Sequence, residues 1–242
     1  MQQSVQHQMM GYDRASIVFS PDGRLLQVEY AKKAVEQGTT AIGMTCKDGA
    51  VLIADKRIVD KFIVPSSVEK VFQVDDHIAV TATGYLMDGR VLAEKAQIIA
   101  QQHKVTYDTN IDTLSLVKEI SNMKQAFTQY GGARPFGVSL LFIGVDDDGP
   151  KLFLTEPTGI YFEYVATAVG EGESEAEEML KKEYKEGMGL DDSIKLGIKI
   201  LKKVLGRDFD VERVEVAFVK KEDRQYGKLK KEDIENVVNK LK

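Results

Sequence analysis

Apolar positions along the 242-residue chain change period several times, and each change marks an element. Leu25, Val28, Ala31 and Val35 recur at helical spacing. Ser20-Pro21-Asp22 stands before them with the make-up of a helix start: a capping hydroxyl, a proline in the first turn and an acid at the positive end of the helix dipole. Gly38 is a natural stop. A short amphipathic helix is therefore predicted over 20–36, with an apolar face that must dock. From Thr39 the pattern becomes that of strands. Thr39–Met44 and Ala50–Ala54 flank Lys47-Asp48-Gly49, a hairpin signal, and Val71–Val74 and His77–Ala82 flank Asp75-Asp76.

Two longer helices follow. One runs over 86–103, with Leu92, Ala96 and Ile99 on its apolar side and Val91 and Ile98 widening it. The other runs over 111–127, with Ile111, Leu114, Val117, Ile120 and Phe127 in its stripe. After the glycine-rich turn Gln129–Pro135, strands resume at Val138–Val145, Lys151–Leu154 and Ile160–Ala168. Ala176, Leu180 and Tyr184 mark a third helix of the core, and Ile194, Ile198, Leu201 and Leu205 a fourth. Val211–Val219 reads as a last strand and Ile234–Leu241 as a terminal helix. Single strands and helices do not alternate, which argues against a doubly wound parallel sheet. The order fits an α+β fold in four layers, αββα: two antiparallel sheets face to face, a helix pair outside each, and an extra N-terminal helix. No linker or composition break appears, so 1–242 reads as one domain. Within it, 1–11 is a mobile arm, 20–36 the N-terminal helix and 39–242 the core.

Composition narrows the class without naming a chemistry. The apolar fraction is 43% and the charged fraction 29%, ordinary for a globular protein. A net charge of −5 speaks against general nucleic-acid binding. No apolar run approaches the roughly 18 residues of a membrane span. MQQSVQHQMMGY lacks the basic start and apolar core of a secretory signal. The single Cys46 suits a reducing cytoplasm and reads as a small apolar strand residue. His7, His77 and His103 show no metal-ligand spacing, and no cofactor is expected.

Tyr12-Asp13-Arg14, Phe19-Ser20-Pro21-Asp22-Gly23-Arg24-Leu25 and Gln27-Val28-Glu29-Tyr30-Ala31 closely resemble the signature of proteasome α-type subunits, archaeal members above all. The resemblance runs through most of the chain. It implies the αββα fold of the proteasome-type N-terminal-nucleophile hydrolases. It also implies a cytoplasmic, non-catalytic subunit of the proteasome core particle. Seven copies would form an outer ring stacked on β-subunit rings that degrade unfolded proteins, with ATP-driven activators as further partners. In that family the N-terminal arm gates the axial pore, and Tyr12, Asp13, Pro21 and Tyr30 match the cluster that holds the gate open, with Arg14 nearby. Lys70, Gly38 and Gly84 match a pocket between neighbouring subunits that takes the C-terminal carboxylate of an activator ATPase. An ammonium is a good point charge for such a group, and glycines let a backbone come close. Tyr130, Gly131 and Gly132 match the loop that narrows the inner channel.

The same alignment raises an enzymatic alternative. In β-type subunits, cleavage after a glycine exposes a threonine whose own amine helps activate its hydroxyl. Here Thr39 falls on that nucleophile, Asp55 on its aspartate and Lys70 on its lysine, with Gly38-Thr39 at the junction. Three features oppose a self-processing threonine protease. The α signature occupies the 38 residues that processing would remove. Gly170-Glu171-Gly172 stands where the family has Gly-Ser-Gly. Leu205–Asp210 replaces the expected Asp-x-x-Ser-Gly turn. A ring-forming scaffold with no protease partner is a third reading, which co-purifying β subunits would oppose.

Overall fold

Side-chain alternation through the first hairpin sets the layering. The structure is a computed structural model that describes residues 11, 15, 17–58, 60 and 62–241. In β1 (Ala41–Cys46) and β2 (Gly49–Asp55), Ile42, Met44, Val51 and Ile53 point to one side, and Ala41, Ala50, Leu52 and Ala54 to the other. Both strands are almost wholly buried, so each face must be covered. The first face is covered by α4 (Glu173–Glu183), α5 (Leu190–Leu205) and α6 (Lys231–Lys240), through Ala176, Ile194, Ile198, Leu201 and Ile234. The second meets another sheet.

Among the described residues each sheet has five strands, and all pairings are antiparallel. One has the order β10-β9-β2-β1-β8, with β8 Ala166–Val169, β9 Val214–Lys220 and β10 Tyr226–Lys228. The other is β3-β4-β5-β6-β7, with β3 Val71–Asp75, β4 Ile78–Gly84, β5 Val138–Asp146, β6 Gly149–Thr155 and β7 Tyr161–Glu163. In β5, Leu141, Ile143 and Val145 face the first sheet. Val138, Leu140 and Phe142 face α2 (Leu86–Tyr107) and α3 (Thr113–Phe127), where Leu92, Ala96, Leu116 and Ile120 pack. The layers are therefore helices, sheet, sheet, helices, as expected. The N-terminal helix α1 is present at Leu26–Glu36. It buries Leu26, Val28, Ala31 and Val35 and touches β4 and β5, and Val35 joins the layer between the sheets.

Several boundaries differ from the sequence reading. Helix α1 starts at Leu26 and not at Ser20. The Ser20 hydroxyl accepts from the Arg24 N–H (3.2 Å), Gly23 N–H bonds Ser20 O (2.8 Å), and Gly23 takes φ +74°, so Ser20–Arg24 closes a turn before the helix. Thr39 and Thr40 precede β1. Helix α2 runs on to Tyr107, ended by Asp108 in the left-handed conformation, and Val91 and Ile98 lie exposed on it rather than widening its buried face. The run Ile160–Ala168 is two strands in different sheets: Tyr164 N–H still bonds Leu152 of β6, whereas the carbonyl of Val165 already accepts from Thr45 of β1. Val211–Arg213 is a short 3-10 turn before β9, and β10 is an unexpected three-residue edge strand. The arm expected over 1–11 falls, but for Gly11, outside the described residues. Among the described residues no helix is long and apolar enough to cross a membrane.

Leu141 is fully buried where the sheets meet. Leu141→Ala should cost about 2–5 kcal/mol of unfolding free energy, the usual range for a buried leucine. Urea denaturation of the purified chain measures it, and a loss below about 1 kcal/mol would contradict this packing.

Candidate functional site

Glycine makes the site possible at two positions. An ideal Cβ on Gly38 would stand 2.3 Å from Gly84 N, and one on Gly84 would stand 2.3 Å from Gly137 O. Gly84 also has φ +113°, which L side chains rarely adopt. The end of α1 is thereby pressed onto the β4–α2 turn, and the chain enters β1 with Thr39 between the sheets' ends. Gly170, at φ +109°, brings the β8–α4 turn onto the same segment. Glu171 N–H donates to Gly38 O (2.8 Å) and Gly172 N–H to Thr40 Oγ1 (3.1 Å).

Thr39, Lys70 and Asp55 come together, as the alignment with β subunits requires. The Lys70 side chain is buried, only 1% exposed. Its amine donates to Thr39 O (2.7 Å) and to Thr39 Oγ1, and Thr83 Oγ1 donates to the same carbonyl (3.1 Å). Burial pushes the amine down to about 7, against the opposing pull of Asp55 and Glu215. Asp55, at the end of β2, is fully buried. It takes a bidentate pair from Arg213 (2.9 and 2.8 Å) and a third bond from Arg57 N–H (3.1 Å). Hydrogen bonding to Asp55 raises the Arg213 guanidinium above its usual value. Glu215 Oε2 accepts from Lys70 N–H (3.0 Å), and Lys228 pairs with its other oxygen. At the mouth, the Arg57 guanidinium pairs with the Glu171 carboxylate.

Chemically, this is a hydroxyl beside an amine whose pKa lies near neutrality, a pairing that can form an activated nucleophile. The N-terminal-threonine mechanism needs a free amine on Thr39, however, and that nitrogen is an amide to Gly38 in this chain. Among the described residues no group of three His, Cys, Asp or Glu side chains could hold a metal ion.

Of the other expected site residues, those that are described lie apart from this cluster. Tyr12, Asp13 and Arg14 fall outside the described residues. Pro21 is in the turn before α1, and Tyr30 is on α1, where the Lys33 ammonium stands 5.9 Å from its ring. Tyr30 also borders a 360 Å³ cleft between α1 and a wall of Tyr85, Arg134 and Pro135. Arg134 is held there by a double hydrogen bond to Asp88 (2.6 and 2.7 Å). Tyr130 is exposed, Gly132 takes φ +85°, and Gly131 lies against Ile17, so the α3–β5 loop borders the segment leading to α1. Sequence reasoning missed Arg57, Arg213, Glu215 and Lys228. Except for the Glu215–Lys228 pair, their partners lie far off in the chain, and only the departure at Glu171 signalled anything unusual here.

A model of the proteasome subunit family matches residues 35–219, and one of the N-terminal signature of A-type proteasome subunits matches residues 12–34. The chain belongs to the proteasome subunit family. Within that family it is of the α type. It is 47% identical to the proteasome alpha subunit of Methanosarcina mazei, over 96% of this chain and 93% of that one. It is equally identical to those of Methanocaldococcus jannaschii, over 95% and 88%, and Thermococcus kodakarensis, over 96% and 88%.

Two fully buried lysines, Lys70 and Lys124, bind protons less readily in the folded chain than in the unfolded one, falling from 10.5 to about 7. The unfolded state therefore holds more protons between these values, and stability rises with pH through that window. Each lysine contributes a slope of up to about 1.4 kcal/mol per pH unit. Lys70→Met should flatten the rise measured by urea unfolding from pH 7.5 to 9. An unchanged slope would mean that the amine is not held as described.

Proposed function

We propose that this chain is a non-catalytic, gating α subunit of a proteasome core particle. Seven copies close into an outer ring, which stacks on rings of β subunits that carry the proteolytic threonines. Unfolded protein enters along the axis. The N-terminal arm, with Tyr12, Asp13, Arg14, Pro21 and Tyr30, gates the entry, and Tyr130-Gly131-Gly132 narrows the channel inside. The mouth at Lys70, Gly38 and Gly84 docks the C-terminal carboxylate of an ATPase activator, which makes degradation ATP-dependent. The observation that carries the non-catalytic reading is α1 itself. Its buried face, with Val35 between the sheets, belongs to the core. A segment discarded on maturation would take part of that core with it.

The contact of the Lys70 amine with the Thr39 hydroxyl favours one competitor, a self-processed threonine protease. Native mass spectrometry of the chain expressed alone separates the two. The expected result is a closed ring of seven chains of 27.0 kDa, or its double, with every subunit full length. Subunits shortened by their first 38 residues would reverse the assignment.

Two variants test the docking and gating roles in the assembled particle. Lys70→Met, which keeps the buried volume but removes the amine, should lower activator-stimulated protein degradation at least about tenfold, the scale of one lost hydrogen bond to a charged group. A normal stimulated rate would end the docking role. Removal of residues 2–11 should raise unstimulated hydrolysis of short peptides, and an unchanged rate would remove the arm as a gate.

A further inference from the structure

The loop between α3 and β5 is soft at its tip and tied at both legs. Gly131 and Gly132 give the tip backbone little stiffness of its own, and among the described residues an ideal Cβ on Gly132 would meet nothing within 4 Å. The incoming leg rests on the end of α3. Tyr130 N–H donates to Ala126 O (3.2 Å), and the Tyr130 ring stands edge-on to Phe127, with centroids 6.5 Å apart. The outgoing leg returns to the same ring, where Phe136 lies 4.6 Å from Phe127. It is then held to the start of α2. Asp88, in the first turn of that helix, takes both ends of the Arg134 guanidinium (2.6 and 2.7 Å) and the Gly137 N–H (2.9 Å). The same guanidinium donates to Pro135 O (3.0 Å), and its Cζ stands 5.7 Å from the centre of the Tyr85 ring. Gly137 O in turn accepts from Tyr85 N–H (2.9 Å). Only 9% of the Asp88 side chain is exposed, against 61% of the Arg134 side chain. Burial opposes the charge on Asp88, yet the bonds from Arg134 and Gly137 N–H hold its carboxyl below the usual carboxylate range.

We propose that the Arg134–Asp88 pair is a clamp that sets the width of the channel constriction, with Arg134 the positioning residue for Tyr130. This rests on the reading of Tyr130-Gly131-Gly132 as the loop that narrows the channel, and adds what holds that loop in place. A bidentate guanidinium–carboxylate pair fixes direction as well as distance, because two parallel bonds resist rotation. Asp88 sits on a helix packed against β4 and β5, so it moves only with the core. Pro135 restricts its own backbone and that of Arg134 before it. The grip on Arg134 therefore passes directly into the short turn that Ala133 N–H closes onto Tyr130 O (3.4 Å). A lysine would match the charge of Arg134 but not its fork. Seven loops held in this way make a rim of fixed width, which selects single extended strands over strands abreast.

Chymotrypsin nicking after Tyr130 reads the clamp directly on the purified full-length chain, with cleavage after the exposed Phe62 as the internal control. Arg134→Gln should raise the initial rate of nicking after Tyr130 at least about tenfold, the scale of one lost hydrogen bond to a charged group, and leave the rate after Phe62 unchanged. Arg134→Lys should fall between the two. A rise at both sites would mean a general loosening and would count against the clamp. The effect on width is read in core particles assembled with β subunits and lacking residues 2–11 of this chain. Two substrates are compared: an unfolded polypeptide, and the same polypeptide folded back on itself by one disulfide, so that two strands must enter abreast. Arg134→Gln should raise the degradation rate of the cross-linked substrate relative to the linear one, toward the ratio given by Tyr130→Ala. The inference is overturned if nicking after Tyr130 is not accelerated, or if Tyr130→Ala shifts the ratio and Arg134→Gln does not. If Tyr130→Ala itself leaves the ratio unchanged, the reading of the loop as the constriction fails, and the claim on width falls with it whatever the nicking shows.

Discussion

Gly38 and Gly84 meet where α1 runs into β1, and a side chain on either would collide with backbone. That contact positions everything at the mouth. It brings the end of α1 onto the β4–α2 turn and fixes the Thr39 carbonyl within reach of Lys70 and Thr83. It also leaves Gly38 O free to accept from Glu171 N–H, so the β8–α4 turn is tied to the same point. A buried amine deprived of these acceptors would be an unmet donor, at a cost of about 1–3 kcal/mol. The entry of the N-terminal helix and the burial of Lys70 are therefore linked through Thr39.

The charges around it are balanced in pairs. Asp55 faces Arg213, Glu215 faces Lys228, and Arg57 faces Glu171. Among the described residues, Lys70 has no carboxylate in direct contact through its amine; Asp55 and Glu215 act on it through space. Burial dominates, and the amine titrates near neutrality. Had Asp55 turned to Lys70 and left Arg213, the ammonium would be firmly charged and an arginine stranded. The bidentate Arg213–Asp55 pair is the stronger geometry, and it leaves Lys70 to Thr39.

The layered fold was legible because it rests on period alone. Strand pairs, helix pairs and their order follow from which residues must be buried. The N-terminal helix was legible in its apolar face, but not in its start: Ser20 has the composition of a cap, but its hydroxyl serves the turn before the helix, whose cap position is Leu25. The split of Ile160–Ala168 could not be read, since both halves keep strand chemistry and only their partners, β6 and β1, differ. The site was half legible. Thr39, Asp55 and Lys70 emerged from a family pattern and do lie together. Arg213 and Glu215 come from β9 and the turn before it, more than a hundred residues on, and no spacing rule links them to Asp55 or Lys70. The opposite signs of Arg57 and Glu171 become meaningful only once the β8–α4 turn folds against Thr39.

An amine near neutrality beside a threonine hydroxyl is a nucleophile and base in composition, yet its surroundings direct it elsewhere. The Thr39 nitrogen is acylated by Gly38, and the Thr39 carbonyl accepts from both Lys70 and Thr83. Upstream, α1 is anchored by four buried side chains, one of them in the layer between the sheets. Freeing the Thr39 amine would require cutting the chain at Gly38, where a glycine contact holds α1 against the core. The energy that stabilises α1 in place therefore opposes the step that would make Thr39 catalytic. On that basis the three residue types stand together here with the Thr39 amine held in a peptide bond and its carbonyl engaged by Lys70 and Thr83.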